Sequence, residues 1–422
     1  MSGLSGDSAV ATDPAARGAL AIAEIVPALV ARPGCREEVA ACVADTAARD
    51  RALVPLGLGA HRGLGHPPVR YDVALVTTRL ARIVDYTPAD MTVTVESGVT
   101  LAALQELLAT EGQWLPLDPP LPALTTIGGL VAADLGGSLR ASQGRVRDFL
   151  IGIAVVTAEG RVARAGGRVV KNVAGYDLMK LFTGSLGTLA VVTEATLKVR
   201  PRPAATRCLA LCCRDTTAAL VFAERLATDG LAVLSATVML ELGDGANGPV
   251  SLCLLGGVEE DIAAQRARVL ALAEGTGAEL TLDTTAAEPA ARARMEPFRD
   301  FLRTAPGDVV VRAVTLPRRA GALAEAICGA AAGGAGRCLL DPRAGGVALA
   351  LESADPALAI AALRSVTAAH GARLVVERWP AALADSIEVW SPLPAAFPLM
   401  RRMKAALDPR GTLAPGRFVG RL

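Results

Sequence analysis

KNVAGYDLMKLFTGSLGTLAVVTEATLKV, residues Lys171 to Val199, sets charged, small and β-forming side chains in an order that few folds share. Its last third, Leu189 to Val199, is rich in β-branched residues and reads as a strand. Before it, Gly184-Ser-Leu-Gly-Thr-Leu189 reads as a glycine turn feeding that strand. Asp177 stands where a carboxylate would cap the helix that follows, and Tyr176 reads as a packed ring. Pro201 and Pro203 then mark a boundary.

Working upstream, an amphipathic stretch from Glu37 to Arg49 and the apolar Ala52 to Pro55 predict a helix feeding a buried strand. Strands are expected at 72–77, 81–85 and 91–96, then a helix over 100–111 with Thr100 as N-cap, and a strand at 150–157. The loop Pro55-Leu-Gly-Leu-Gly-Ala-His-Arg-Gly63 fails as a dinucleotide fingerprint. Arg62 stands where the third glycine is needed, and Pro67-Pro68 forbids the helix that should follow. What remains is a glycine loop after a strand, where successive backbone N–H groups can converge on a diphosphate. A second glycine cluster follows at Thr125-Thr126-Ile127-Gly128-Gly129, with Gly136-Gly137 and Arg147-Asp148 beyond it.

Downstream of Pro203 one supersecondary unit occurs twice. Strand 207–213, helix 216–229, strands 232–240 and 250–256, helix 259–275 and strand 278–282 form one β-α-β-β-α-β pattern. Strand 308–315, helix 318–331, strands 336–341 and 346–352, helix 356–370 and strand 373–378 form the other. Two such units predict an antiparallel sheet with helices on one face, suited to cap a cofactor domain. A helix over 399–407 and the turn-rich DPRGTLAPGRF close the chain.

Composition limits the function. The 422 residues suffice for two to four domains of about 100–200 residues. With 52% hydrophobic and 20% charged residues the chain is globular, and a net charge of +1 supplies no field to gather nucleic acid. No run approaches the roughly 18 apolar residues of a membrane span, and residues 1–25 lack the pattern of a secretory signal. The eight cysteines show no C-x-x-C spacing or iron–sulfur run and read as buried thiols in a reducing compartment. Lysine occurs only at 171, 180, 198 and 404 among 43 basic residues, which hints at positions where arginine does not serve.

KNVAGYDLMKLF, TTIGGLVAADLGG and IEVWSPLPAAFPLMRRMKAALDPRGTLAPGRF together resemble the FAD-binding domain of the vanillyl-alcohol oxidase (p-cresol methylhydroxylase, PCMH) type, and within it the glycolate oxidase and D-lactate dehydrogenase group. The resemblance implies an α+β fold: a two-lobed FAD domain over 26–203 (lobes 26–120 and 121–203) after a loose tail 1–25. A cap over 204–385 and a segment 386–422 returning to the first domain complete it. It implies FAD held without a covalent bond. Leu56, Gly57, Leu58, Gly59, Ala60 and His61 would lie at the diphosphate. Thr125, Thr126, Gly128, Gly129, Ala132 and Gly136 would line the ribityl and pyrophosphate groups, with Gly187 and Val192 along the strand edge that holds the adenine. Lys171 and Asn172 would lie near the flavin, where a cation stabilises the anionic reduced ring, unless Lys171 bonds the cap or closes a turn. Arg417 meets the flavin or a substrate carboxylate, or pairs on the surface.

The loop departs from the family at Gly57-Leu58-Gly59-Ala60, where relatives run Gly-Gly-Gly-Thr. Leu58 would need a permissive backbone angle and Ala60 loses a hydroxyl, so weaker FAD binding is expected. Covalent attachment in relatives uses the histidine aligned with Ala60, so His61 is expected beside the diphosphate. The His-Gly-Asp-Gly-Asn-x-His cluster of the catalytic relatives, which binds metal and accepts the substrate proton, is missing, and no metal site is expected. His370 reads as a surface residue at a helix end. The resemblance therefore implies a subunit assisting oxidation of glycolate or a related 2-hydroxy acid beside a homologous catalytic flavoprotein subunit and an iron–sulfur subunit. Such a complex would be cytoplasmic or peripheral on the inner face of the plasma membrane. A self-sufficient 2-hydroxy acid dehydrogenase and a flavin-free structural subunit stay open as alternatives.

Overall fold

The structure, a computed structural model, describes residues 10–167, 177–243, 248–331 and 334–422. A four-stranded sheet begins the chain, in the order Val10–Ala11, Leu29–Ala31, Val73–Val76, Leu53–Leu56, the last three parallel. Parallel strands are buried on both faces, which is why Val73–Val76 is apolar at every position and fully covered. Helix Arg36–Ala48 lays Val39, Cys42 and Val43 against Leu53 and Leu75. Residues 10–25 are no loose tail. Ile22 is buried, the Tyr71 hydroxyl donates to the Leu20 carbonyl (3.0 Å), and Arg62 donates to the Ala19 carbonyl (2.7 Å).

A second, antiparallel sheet runs Ile83–Thr87, Thr92–Glu96, Val191–Lys198, Leu150–Val156, Val162–Gly166. This corrects the expected division of the lobes at residue 120. The strands before 100 pair with those after 150, and Val93, Leu104, Ile127 and Phe149 share one core. Thr100 caps helix Leu101–Ala109 by accepting from the Ala103 amide at 3.2 Å, as its sequence predicts.

Beyond Pro203 a nine-stranded antiparallel sheet holds both repeated units. They join where Ser235–Leu242 pairs with Gly336–Asp341. Helices Thr216–Thr228, Ala320–Ala330 and Pro356–Ala369 cover one face over Val238, Val309 and Val311. Side chains alternate across a sheet, so Met239 and Val310 point to the other face, where they meet Phe301. The sequence predicts helices on one face of this sheet, and the other carries two more. Helices Pro289–Arg299 and Phe301–Thr304, in the stretch between the repeats, pack there, and full burial of a ring such as Phe301 contributes about 1.5–3 kcal/mol.

The chain then returns to its first sheet. The Leu53 amide donates to the Thr412 carbonyl (2.8 Å) and the Ala414 amide to the Leu53 carbonyl (2.7 Å). All eight cysteines are free thiols. Among the described residues no helix is long and apolar enough to cross a membrane, and no group of three potential metal ligands converges.

Candidate functional site: a backbone cleft under an arginine-lined cap

Strand Leu53–Leu56 ends in a loop whose backbone amides, Gly57 through His61, find no acceptor among the described residues. The positive angle falls on Gly59 (φ +80°), while Leu58 keeps an ordinary one, so the expected strain at Leu58 is absent. Gly57 is required by close approach. A Cβ there would sit 2.3 Å from the Thr126 hydroxyl oxygen. Arg417 holds the far side of the loop. Its guanidinium is buried and donates to the carbonyls of His66 (3.1 Å), Arg62 (2.7 Å) and Leu64 (2.5 Å), which corrects both readings of it as a surface pair and as a free carboxylate clamp.

Opposite the loop, helix Ile127–Ala133 is capped by Thr126, whose hydroxyl accepts from the Gly129 amide at 3.2 Å. The Gly128 amide donates to the Ser97 carbonyl (2.8 Å), and a Cβ on Gly128 would lie 2.8 Å from that of Ser97. The turn 184–190 closes the third side through Leu186 N to Ala132 O, 2.7 Å. Lys404 ties this turn to the returning chain, donating to Thr188 O (2.8 Å), Leu413 O (2.8 Å) and Asp408 (2.6 Å). Three acceptors around one point suit a compact ammonium rather than a planar guanidinium.

These elements border an open cleft. The loop from Leu56 through His61 lines one wall, and Thr126, Gly128, Gly129 and Ala132 line the second. Gly187, Val192 and Arg417 complete it, with Pro55, Thr77, Leu186 and Ala190, which the sequence motifs did not single out. Two expected members are placed elsewhere. Thr125 lies behind the wall, donating to Pro120 O at 2.8 Å, and Gly136 lines a neighbouring cleft. Lys171, Asn172 and Tyr176 lie outside the described residues. Asp177 pairs with Lys180 at 2.6 Å and makes no side-chain cap.

The histidines are each committed to a structural contact. His370 ends its helix with Nδ1 on the Val366 carbonyl (3.0 Å). His66 is fully buried, 3.0 Å from Glu388 and packed on Trp390. His61 bridges the two parts of the molecule. Arg303 Nε donates to its Nδ1 (3.1 Å), which fixes the proton on Nε2, 2.7 Å from the Thr125 hydroxyl. Burial, then the Arg303 charge, push its pKa down to about 3, so the ring is neutral. Arg303 also meets Glu377 at 2.9 Å, and Arg312 reaches the same carboxylate at 3.0 Å. Burial opposes the charge on Glu377, yet the two guanidiniums hold its pKa below the ordinary value.

Beyond His61 a larger cleft separates helix Ile127–Ala133 and its following turn from the inner face of the cap sheet. Arginines dominate its charge. Arg145 is paired with Asp134 (2.7 Å), Arg299 with Asp300 (2.8 Å), and Arg303 and Arg312 with Glu377. The Arg140 guanidinium has no hydrogen bond or ion pair among the described residues. The sequence motifs missed Arg140, Arg303, Arg312, Asp341 and Glu377. Each stands alone on its own element, and no spacing joins them.

Residues 27–166 match the family of the FAD binding domain. That stretch holds the amide loop, the Gly128 helix and four strands of the second sheet, so this chain carries an FAD-binding domain and FAD is its cofactor. The residues fit it: a run of free amides suits a diphosphate, and the glycines keep open walls that a Cβ would fill or displace. Glycolate oxidase subunit GlcE of Escherichia coli is 45% identical over 124 residues, 29% of this chain and 35% of the relative. Glycolate oxidase subunit GlcD of Bacillus subtilis is 34% identical over 178 residues, 42% of this chain and 38% of the relative. The matches thus span little more than a third of these relatives' lengths. Among solved structures, p-cresol methylhydroxylase with substrate bound superposes with a TM-score of 0.74 at 17% identity, covering 98% of this chain and 94% of that one. The 4-ethylphenol oxidase from Gulosibacter chungangensis gives the same figures. The chain has their fold, a two-lobed FAD domain with an antiparallel-sheet cap.

Proposed function

We propose that this protein is an FAD-dependent oxidoreductase acting on CH–OH donors, working as a non-autonomous, FAD-binding subunit in the oxidation of glycolate or a related 2-hydroxy acid to the 2-oxo acid. The observation that carries the cofactor role is the run of unpaired amides from Gly57 to His61 facing the Gly128 helix. In this reading those amides hold the diphosphate, Thr126, Gly128, Gly129 and Ala132 flank the ribityl chain, and Gly187 and Val192 meet the adenine. Bound FAD supplies acceptance of two electrons with a hydride from the carbinol carbon. Arg417 and Lys404 brace the walls through backbone carbonyls. FAD is held non-covalently, because the Nδ1 lone pair of His61 is already taken by Arg303. Lys171 as the cation beside the flavin ring belongs to the same proposal.

The subunit character is supported by the likeness to proteins named as glycolate oxidase subunits and by the engagement of all three histidines. His61 Nδ1, His66 Nε2 and His370 Nδ1 are each held in a contact within the chain. The partners in this reading are a homologous catalytic flavoprotein subunit and an iron–sulfur subunit that takes the electrons, in the cytoplasm or against the inner membrane face. The test is the visible spectrum of the purified chain with glycolate or D-lactate, alone and after reconstitution. A flavin band that bleaches only in the complex is expected. A colourless full-length chain overturns the cofactor role, and full bleaching without partners makes the chain the dehydrogenase itself. The cap cleft favours that second reading, since it offers an unpaired guanidinium within this chain.

A further inference from the structure

Of the guanidiniums in the large cleft that have no partner among the described residues, Arg140 is the half-buried one, and Asp341 offers a carboxylate oxygen to the same cleft. Arg140 opens the short helix Arg140–Gln143 on the FAD-domain side. It is half-buried among Arg145, Arg312, Asp134 and Asp341, and among the described residues its guanidinium has no hydrogen-bond partner. Its cationic neighbours are all otherwise engaged, on Asp134 and Glu377. Asp341 ends the cap strand Gly336–Asp341 across the same cleft. Its Oδ1 is fixed by the amides of Arg343 (3.2 Å) and Ala344 (2.9 Å), while Oδ2 takes no hydrogen bond from any described residue. Trp390 lines the cleft as well.

We propose that Arg140 and Asp341 together make a 2-hydroxycarboxylate subsite on this chain, Arg140 anchoring the carboxylate and Asp341 Oδ2 accepting the hydrogen bond of the 2-hydroxyl. The proposal rests on the function above for the class of ligand, and goes beyond it in placing a ligand site on this subunit and in naming what distinguishes donor from product. A guanidinium without a partner is matched bidentately by a carboxylate. A carboxylate oxygen accepts from a hydroxyl but only repels the carbonyl of a 2-oxo acid, so the site favours the alcohol over its oxidised product. Burial pushes Asp341 up to about 6, which leaves it ionised at neutral pH.

Equilibrium binding tests this without turnover. D-lactate and pyruvate are titrated into the full-length flavoprotein at neutral pH, with Trp390 fluorescence and calorimetry as readouts. The intact chain should bind D-lactate about tenfold more tightly than pyruvate. Arg140→Met should weaken both by about tenfold or more, with partial recovery in Arg140→Lys. Asp341→Asn should erase the preference while retaining pyruvate binding, a change of ratio that a folding defect does not produce. Equal affinity for the two acids in the intact chain, or an unchanged ratio in Asp341→Asn, removes Asp341 from the site. Unchanged affinity in Arg140→Met removes Arg140, and no binding of either acid overturns the subsite altogether. If both acids bind as stated but the flavin of the reconstituted complex is never reduced, the subsite stands and the redox function falls.

Discussion

The two clefts of this molecule are built from different materials. The smaller one is made of backbone: unpaired amides from Gly57 to His61, and glycines at 57, 128 and 187 whose missing side chains keep its walls close and open. The larger one is made of side chains, apolar ones together with arginines and carboxylates, sent from separate strands and helices of two domains. A backbone site needs particular residues in consecutive order, and so leaves a motif. A side-chain site needs only that distant elements meet. Arg303 is where the two touch, with Nε on His61 of the loop and a second nitrogen on Glu377 of the cap.

That contrast can be broken experimentally. The largest effect is expected at Glu377, which is buried and neutralises two arginines. Glu377→Leu should cost about 3–5 kcal/mol in chemical denaturation, because both guanidiniums lose their partner; a loss below about 1 kcal/mol would show that water replaces it. Gly57→Ala should cost about 1–3 kcal/mol and release FAD, read as the flavin-to-protein ratio, since its Cβ collides with Thr126. Full flavin retention would mean that the wall gives way without harm.

A third test concerns the bridge. Burial and the Arg303 charge push the pKa of His61 down to about 3 in the folded chain, against the ordinary 6.5 when it is solvated, so the unfolded chain takes up the proton first as pH falls. Its contribution is complete above pH 6.5 and declines towards pH 3, by about 2 kcal/mol between pH 7 and pH 5. His61→Gln should show that much less pH dependence than the parent chain, and identical slopes would place the titration elsewhere. The smallest effect is local. Thr100→Ala should cost about 1 kcal/mol by uncapping its helix, and leave flavin content and anion binding unchanged.

By itself the sequence determined most of the elements and the glycines that line the smaller cleft. Apolar periodicity located the paired β-α-β-β-α-β units, because strands and helices bury their faces with periods that survive in one dimension. The glycine loops marked the walls of the smaller cleft, because only glycine admits such close backbone approach. Tertiary structure alone decided the rest. The lobes divide by sheet pairing, Thr92–Glu96 against Val191–Lys198, which joins residues far apart in the chain and which no local pattern encodes. Arg417 became a loop clamp and Thr125 a buried support because burial forces each polar group onto whichever partner the fold provides. Arg140, Asp341 and Glu377 gained their surroundings only when the cap closed over the first domain, since charge in a cleft is a property of the groups that meet there.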